Sequence, residues 1–258
     1  MKLEAHHFGV IRDLVRQRAS IVLADNKRYL VEARVRALVR ALELRGFDEL
    51  CTLIRRRDPE ILQQVVEALT TNETSFFRDQ DAFRCLREDV LPRLIAATPA
   101  HRPLRIWSSA CSSGQELYSV LITINEHFPE LLERRLDLYA TDIDRQMLER
   151  TKSGRYNALE VARGLSDQHR RSYFTAEGRS FTFREDLRPR IRFRQLNLAS
   201  EWTGLPRFDL ILMRYVLIYF DHPTREAVIA RAAGRSSAQS AASRGRCPAP
   251  APSRSRRA

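Results

Sequence analysis

Between Leu104 and Met213 the chain alternates short apolar segments with stretches of helical period, and this constrains the fold more than any other feature. LRIWSS (104–109), LDLYAT (136–141), RIRFRQL (190–196) and FDLILM (208–213) read as four strands. Helices are expected from about Glu116 to His127 and from Asp142 through Arg150. Apolar strands separated by helices predict a parallel sheet covered on both faces. One segment interrupts the alternation. Tyr173–Ala176 and Ser180–Arg184 flank Glu177-Gly178-Arg179, which predicts an inserted β-hairpin.

Upstream, residues 1–70 carry a helical period only. Leu30, Val31, Val35, Leu38, Val39 and Leu42 fall on one face of a helix over Tyr29–Leu44, which Gly46 is expected to end. Phe47–Ile54 gives a second, short helix. Asp58-Pro59 opens a third, with Ile61, Leu62, Val65, Val66 and Leu69 as its buried stripe. The reading is a small helical bundle.

The formal charge of +12 suggests nucleic acid until its location is considered. Eight arginines and one glutamate within residues 222–258 supply +7, leaving +5 on the first 221 residues. A mildly basic body with a polycationic tail is not a nucleic-acid-binding domain, and no N-P-P-Y or D-P-P-Y sequence is present to hold a flipped base. From about Ala232 the chain is Ala, Arg, Ser and Pro without an apolar period, so residues 232–258 are expected to be a disordered basic tail. The apolar run LILMRYVLIYF is too short for a membrane span and Arg214 interrupts it. Cys51, Cys85, Cys111 and Cys247 form no C-x-x-C pair, which argues against zinc and for a reducing compartment. MKLEAHHFGVIRDLVRQRA has no uninterrupted apolar stretch behind its Lys, so no signal peptide is expected. The expectation is a cytoplasmic protein without metal.

Four constellations bear on chemistry. RIWSSACSSGQELYS is a strand, a loop of small residues and a helix, which lets a ligand approach the backbone. An ordinary strand-to-helix turn has the same features. YATDID places Asp142 at the end of the next strand, where nucleotide-binding α/β folds keep an acid for ribose hydroxyls, although Asp142 or Asp144 can equally cap the next helix. TTNETSFFRD (70–79) and FDLILMRYVLIYFD complete the set. Singly, each also fits a bland structural role.

In order and spacing, the four together resemble the chemotaxis receptor methyltransferases, the CheR family, whose pattern runs T-T-N-E-T-x-F-F-R, A-C-S-x-G-[EQ]-E-x-Y-S, A-T-D-I, N-L and F-D-L-I-x-x-R-N-V-L-I-Y-F. KRYLVEARVRAL and GRYNALEVARGLSDQHRRSYF extend the resemblance over roughly residues 8–230. The resemblance implies an N-terminal helical domain (1–72) and a Rossmann-like, seven-stranded S-adenosylmethionine-dependent methyltransferase domain (73–231). An antiparallel β-subdomain is inserted at about 165–189. It implies that Asn72, Thr74 and Arg78 line the cofactor and substrate region, that Glu116 contacts the cofactor, that Asp142 holds its ribose, and that Asn197 and Leu198 flank its adenine. The resemblance further implies that a glutamate carboxylate of a chemoreceptor cytoplasmic domain attacks the methyl carbon and that S-adenosylhomocysteine leaves. Glutamate, with a pKa near ~4.3, needs neither general base nor metal. Arg78 is assigned to orienting that carboxylate and Tyr219 to the pocket wall. The implied protein is a monomer that binds no specific nucleic acid and does not insert into membranes.

Three departures from the family pattern stand out. Gln115 replaces a common Glu, Tyr215 replaces Asn, and the Arg/Ser/Ala/Pro tail stands where a P-G-G turn and further strands belong. The C-terminal strands are therefore expected to be missing. The alternatives are a catalytically impaired receptor-binding remnant and, from the tail alone, a nucleic-acid binder.

Overall fold

The computed structural model describes residues 2–99, 101–133 and 136–237. Four helices, α1 (Ala5–Ala19), α2 (Arg28–Ala41), α3 (Phe47–Arg55) and α4 (Pro59–Leu69), form the N-terminal bundle. Their stripes converge on one core, in which Ile11, Val15, Val31, Val35, Leu50 and Val65 are fully buried. Asp58 caps α4, accepting from the backbone N–H of Glu60 and Ile61 at 3.0 and 3.1 Å, with Pro59 in the first turn. The stop of α2 differs from expectation. The helix ends at Ala41, and Glu43 rather than Gly46 takes the left-handed turn at φ 54°. Leu44 N–H bonds Val39 O at 3.0 Å and Glu43 N–H bonds Arg40 O at 3.1 Å, the paired closure that satisfies terminal carbonyls. Gly46 serves instead as the cap that precedes α3.

Helices α5 (Gln80–Cys85) and α6 (Leu91–Ala97), joined by a π-helical turn, lead into the α/β region. Its elements are β1 (Leu104–Ser108), α7 (Gln115–His127), α8 (Glu130–Glu133), β2 (Leu136–Asp142) and α9 (Arg145–Ser153). After an inserted subdomain come β6 (Ile191–Gln195), β7 (Leu210–Leu212) and α12 (His222–Arg235). The four strands are parallel in the order β6-β2-β1-β7, a doubly wound arrangement whose first connection crosses over through α7. Among the described residues this sheet has four strands rather than seven, and β7 is an edge with half-buried side chains. Asp209 pins it: the buried carboxylate accepts both terminal nitrogens of Arg102 at 3.0 and 2.8 Å and the backbone N–H of Arg105 at 2.9 Å.

The inserted subdomain comprises β3 (Arg155–Asn157), α10 (Ala158–Ala162), α11 (Asp167–Tyr173), β4 (Phe174–Glu177) and β5 (Ser180–Phe183). The expected hairpin β4–β5 is present, but the sheet is three-stranded in the order β3-β5-β4 and begins at Arg155, upstream of residue 165. Three residues are too few to show an alternation in sequence. β3 is held by Tyr156, which is buried against Phe76 and Phe174.

The expected boundary of the tail at 232 also moves. Helix α12 runs to Arg235, whose guanidinium donates to the carbonyls of Trp202 and Leu205. Its carbonyl accepts from Phe208 N–H at 2.8 Å, and Ser237 N–H then bonds Phe208 O at 2.8 Å. Backbone pairing beside Phe208, not an apolar period, orders these residues. The rest of the tail, from residue 238, lies outside the described residues.

Candidate functional site

The carboxyl ends of β1, β2 and β7 open onto one cleft, enclosing ≈ 990 Å³ including its solvent-filled mouth. Open α/β sheets place ligands at this end of their strands. The helical bundle closes the cleft from above with Ala19, Ile21 and the Leu69–Ser75 segment, and Asn197 and Leu198 close its side. All eight residues singled out in the sequence, Asn72, Thr74, Arg78, Glu116, Asp142, Asn197, Leu198 and Tyr219, line this one cleft.

The cleft floor is built around Asp142. Its Oδ2 accepts from Ser112 N–H at 2.7 Å and its Oδ1 from Asp144 N–H at 3.0 Å. Each oxygen keeps a second lone pair. Burial raises the carboxyl to about 6, against the pull of those N–H groups. Asp144 is the actual cap of α9, accepting from Gln146 and Met147 N–H at 2.9 and 3.2 Å, so the two acids have separate tasks. Asn72 Nδ2 also donates to Asp144, at 2.7 Å, which ties the bundle to the β2 end. Ser112 joins the rest: its hydroxyl donates to Asn72 O at 2.8 Å and its carbonyl accepts from Thr151 Oγ1 at 2.8 Å. Gly114 lies at φ 90°, and a Cβ there would fall 2.4 Å from Thr151 Cγ2. Only glycine brings the loop this close to α9. Gln115, the neutral departure, is buried and accepts from Ser113 Oγ at 2.9 Å.

The opposite wall follows β7. Glu116 accepts from Ser108 Oγ at 2.9 Å and pairs with Arg214 at 3.3 Å. Burial pushes its carboxyl upward, and Ser108 and Arg214 oppose this. Arg214 also pairs with Asp79 at 3.4 Å and donates to Arg78 O at 2.6 Å. Arg78 donates to Glu73 O at 2.7 Å, and among the described residues no carboxylate stands within ion-pair distance of it. Neither neighbouring acid, Asp79 nor Asp81, pairs with it. Asp81 pairs with Arg84 and Asp79 with Arg214. Tyr219 accepts Val22 N–H at 3.0 Å through its carbonyl, joining the bundle to this wall. Asn197 donates to Arg18 O and accepts from Ala199 N–H at 2.9 Å.

Sequence reasoning passed over Arg214 as part of the cleft, gave Ser112 no role beyond the small-residue loop, and marked Tyr215 only as a departure that could block part of the pocket. The signal for Arg214 was available: a cation inside an apolar run needs a buried partner. Nothing in the sequence identifies Ser112, whose three partners are 30 to 40 residues away.

The donor set suits an adenosyl ligand. The floor offers carboxylate lone pairs for a diol, the side presents Ile143 and Leu198 as apolar surface beside an amide, and the far wall carries both charge signs. A helical cap over a parallel sheet, with an acid at the β2 end and a small-residue loop at the β1 end, defines a Rossmann-like methyltransferase.

Comparison with known proteins agrees. Residues 72–243 match the SAM-binding domain of CheR methyltransferases, and residues 6–70 match their all-alpha domain. Chemotaxis protein methyltransferase 1 of Pseudomonas aeruginosa is 38% identical over 232 residues, 88% of this chain and 84% of that protein. Chemotaxis protein methyltransferase Cher2 of Pseudomonas putida is 36% identical over 232 residues, 87% and 83% of the two chains. The Salmonella typhimurium chemotaxis protein methyltransferase is 35% identical over 238 residues, 90% and 79%. The chain belongs to the CheR methyltransferase family, whose cofactor is S-adenosylmethionine and whose setting is chemotaxis. Among the described residues no helix is long and apolar enough to cross a membrane.

Proposed function

We propose that this protein methylates glutamate side chains on the cytoplasmic domains of chemoreceptors, acting in the cytoplasm in adaptation. The observation that carries the reading is Arg78: a guanidinium lining the same cleft as Asp142 that forms no ion pair among the described residues, Glu116 acting on it only through space while paired with Arg214. A planar fork of donors without an acidic partner is suited to an incoming carboxylate.

Bound S-adenosylmethionine supplies a methyl carbon made electrophilic by its sulfonium. The residues of the chain do the rest. Asp142 accepts the ribose hydroxyls with its remaining lone pairs, and Asn197 and Leu198 flank the adenine. Asn72 acts through Asp144, holding the strand end in place, and Thr74 completes the rim. Glu116 keeps Arg214 in the wall and faces the cationic part of the ligand. Arg78 orients the acceptor oxygen, and Tyr219 with Phe220 keeps water from the line of attack. No proton has to be moved, because a glutamate is ionised at neutral pH. The edge of β4 in the inserted sheet is open for a receptor segment to pair with.

The test is methyl transfer with purified chain, a chemoreceptor cytoplasmic domain and cofactor labelled on its methyl group. The expected product is label on receptor glutamates that alkali releases as methanol, the behaviour of an ester. Alkali-stable label, or none above a receptor whose acceptor glutamates are changed to alanine, would overturn the reading.

A further inference from the structure

Tyr215 carries a large aromatic side chain on a left-handed backbone, φ 57°, a conformation that bulky residues avoid. It is not buried for packing: 43% of the residue is exposed, and it lines the cleft. Its ring faces the Arg78 guanidinium, with Cζ 3.8 Å from the ring centroid. A second guanidinium, that of Arg214, stands 5.2 Å from the same centroid but is already paired with Glu116 and Asp79. Arg78 is anchored at one nitrogen to Glu73 O, and its own carbonyl is held by Arg214. The residues on either side, Phe77 at φ 46° and Asp79 at φ 68°, are also left-handed, so the chain is held against local preference immediately before and after Arg78. Strain of this kind persists where surrounding structure over-determines it, and it gathers at functional sites.

A ring over the face of a guanidinium attracts the cation while leaving the donors at its edge unused. An acid in the same place would neutralise Arg78 and compete with the substrate. We infer that Tyr215 is a positioning residue for methyl transfer: it fixes the Arg78 guanidinium by its face, keeps the edge donors available to the acceptor carboxylate, and forms the apolar side of the acceptor entrance. The inference rests on the reading of Arg78 as the group that orients the acceptor. Neither the tyrosine hydroxyl nor the cofactor enters it, so the effect should fall on the acceptor side alone.

The experiment is a cycle of Y215L, R78A and the double variant, with Y215F as the conservative control. It reads kcat and KM for a chemoreceptor cytoplasmic domain, S-adenosylhomocysteine affinity by calorimetry, and thermal melting. Removing a stacked ring from a part-exposed cation is expected to raise the receptor KM about twofold to fivefold. S-Adenosylhomocysteine affinity stays within about twofold of the starting value and Y215F behaves as the unaltered chain, because the ring and not the hydroxyl is used. In the R78A background, which has no cation for the ring to hold, adding Y215L leaves the receptor KM unchanged. If melting shows that Y215L does not fold, Y215N carries the same cycle, since asparagine tolerates a left-handed backbone. A Y215L enzyme indistinguishable from the unaltered chain, a Y215F enzyme as impaired as Y215L, or an equal effect of Y215L with and without Arg78 would each overturn the inference. Loss in R78A with none in Y215L sinks this inference alone. An R78A enzyme with unchanged receptor kinetics instead sinks the reading of Arg78 beneath it.

Discussion

At the β2 end of the cleft, Asp142, Asp144 and Ser112 retain 6%, 4% and 9% of their exposure, and their hydrogen bonds tie them to one another and to α9. At the β7 end, Arg78 and Arg214 are half-buried, Tyr215 is 43% exposed, and the strand beneath them is an edge. The first wall is a fixed lattice of buried polar groups with satisfied partners. The second is assembled from long side chains resting on one another by charge and ring contact. In the proposed reading the first kind of wall serves a cofactor of constant shape, and the Arg78 and Tyr215 part of the second serves a side chain presented by another macromolecule.

The most damaging way to break this contrast is to wedge the rigid wall. Gly114→Ala places a Cβ against Thr151, which cannot turn aside because its hydroxyl donates to Ser112 O and Met147 O at 2.8 and 2.9 Å. Left-handed strain and overpacking together should cost about 3 kcal/mol of stability, read by denaturant unfolding. A variant that unfolds with the same midpoint would show that this wall is softer than its hydrogen bonds suggest.

Asp142→Asn leaves the shape and removes the charge. Losing charged acceptance should cost about 1.5–3 kcal/mol in S-adenosylhomocysteine affinity. The unaltered chain should also show a pH signature. Burial raises the Asp142 carboxyl to about 6, and in the proposed role it is the ionised form that accepts the ribose hydroxyls. Affinity should therefore be flat above that pH and fall about tenfold per unit below it. Calorimetry across pH 5–8 should find the slope in the unaltered chain and none in Asp142→Asn.

The two walls also differ in how much of them the sequence discloses. A strand that ends in an acid and a strand that runs into a small-residue loop are local patterns, so Asp142 and the Gly114 loop are readable from neighbours. The same holds for Asp58 as a cap and for the helical stripes of the bundle. The β7 wall depends on pairings across the chain: Arg214 meets Glu116 and Asp79, and Asp209 meets Arg102, each about a hundred residues or more apart. β3 escapes for the opposite reason, being too short to carry a period. Order in α12 beyond residue 232 comes from hydrogen bonds to Phe208, Trp202 and Leu205 rather than from its own composition.

A smaller effect sharpens the contrast from the yielding side. Tyr215→Asn relieves a left-handed aromatic, worth about 1 kcal/mol. It also removes the ring from Arg78, worth about 0.5–1 kcal/mol in a half-exposed site. The two nearly cancel, so the melting temperature should move by no more than about 2 °C. A large drop would make Tyr215 part of the packed structure rather than a movable part of the acceptor wall.

If the walls are separate, a change in one should be silent in the other. The most direct measurement is the affinity of Arg78→Gln for S-adenosylhomocysteine by calorimetry, set beside its rate of methyl transfer to a receptor cytoplasmic domain. The expected result is transfer reduced at least about tenfold, the loss of one charged hydrogen-bond donor, with cofactor affinity unchanged to within about twofold. Equal loss in both quantities would contradict the division of the cleft and assign Arg78 to the cofactor.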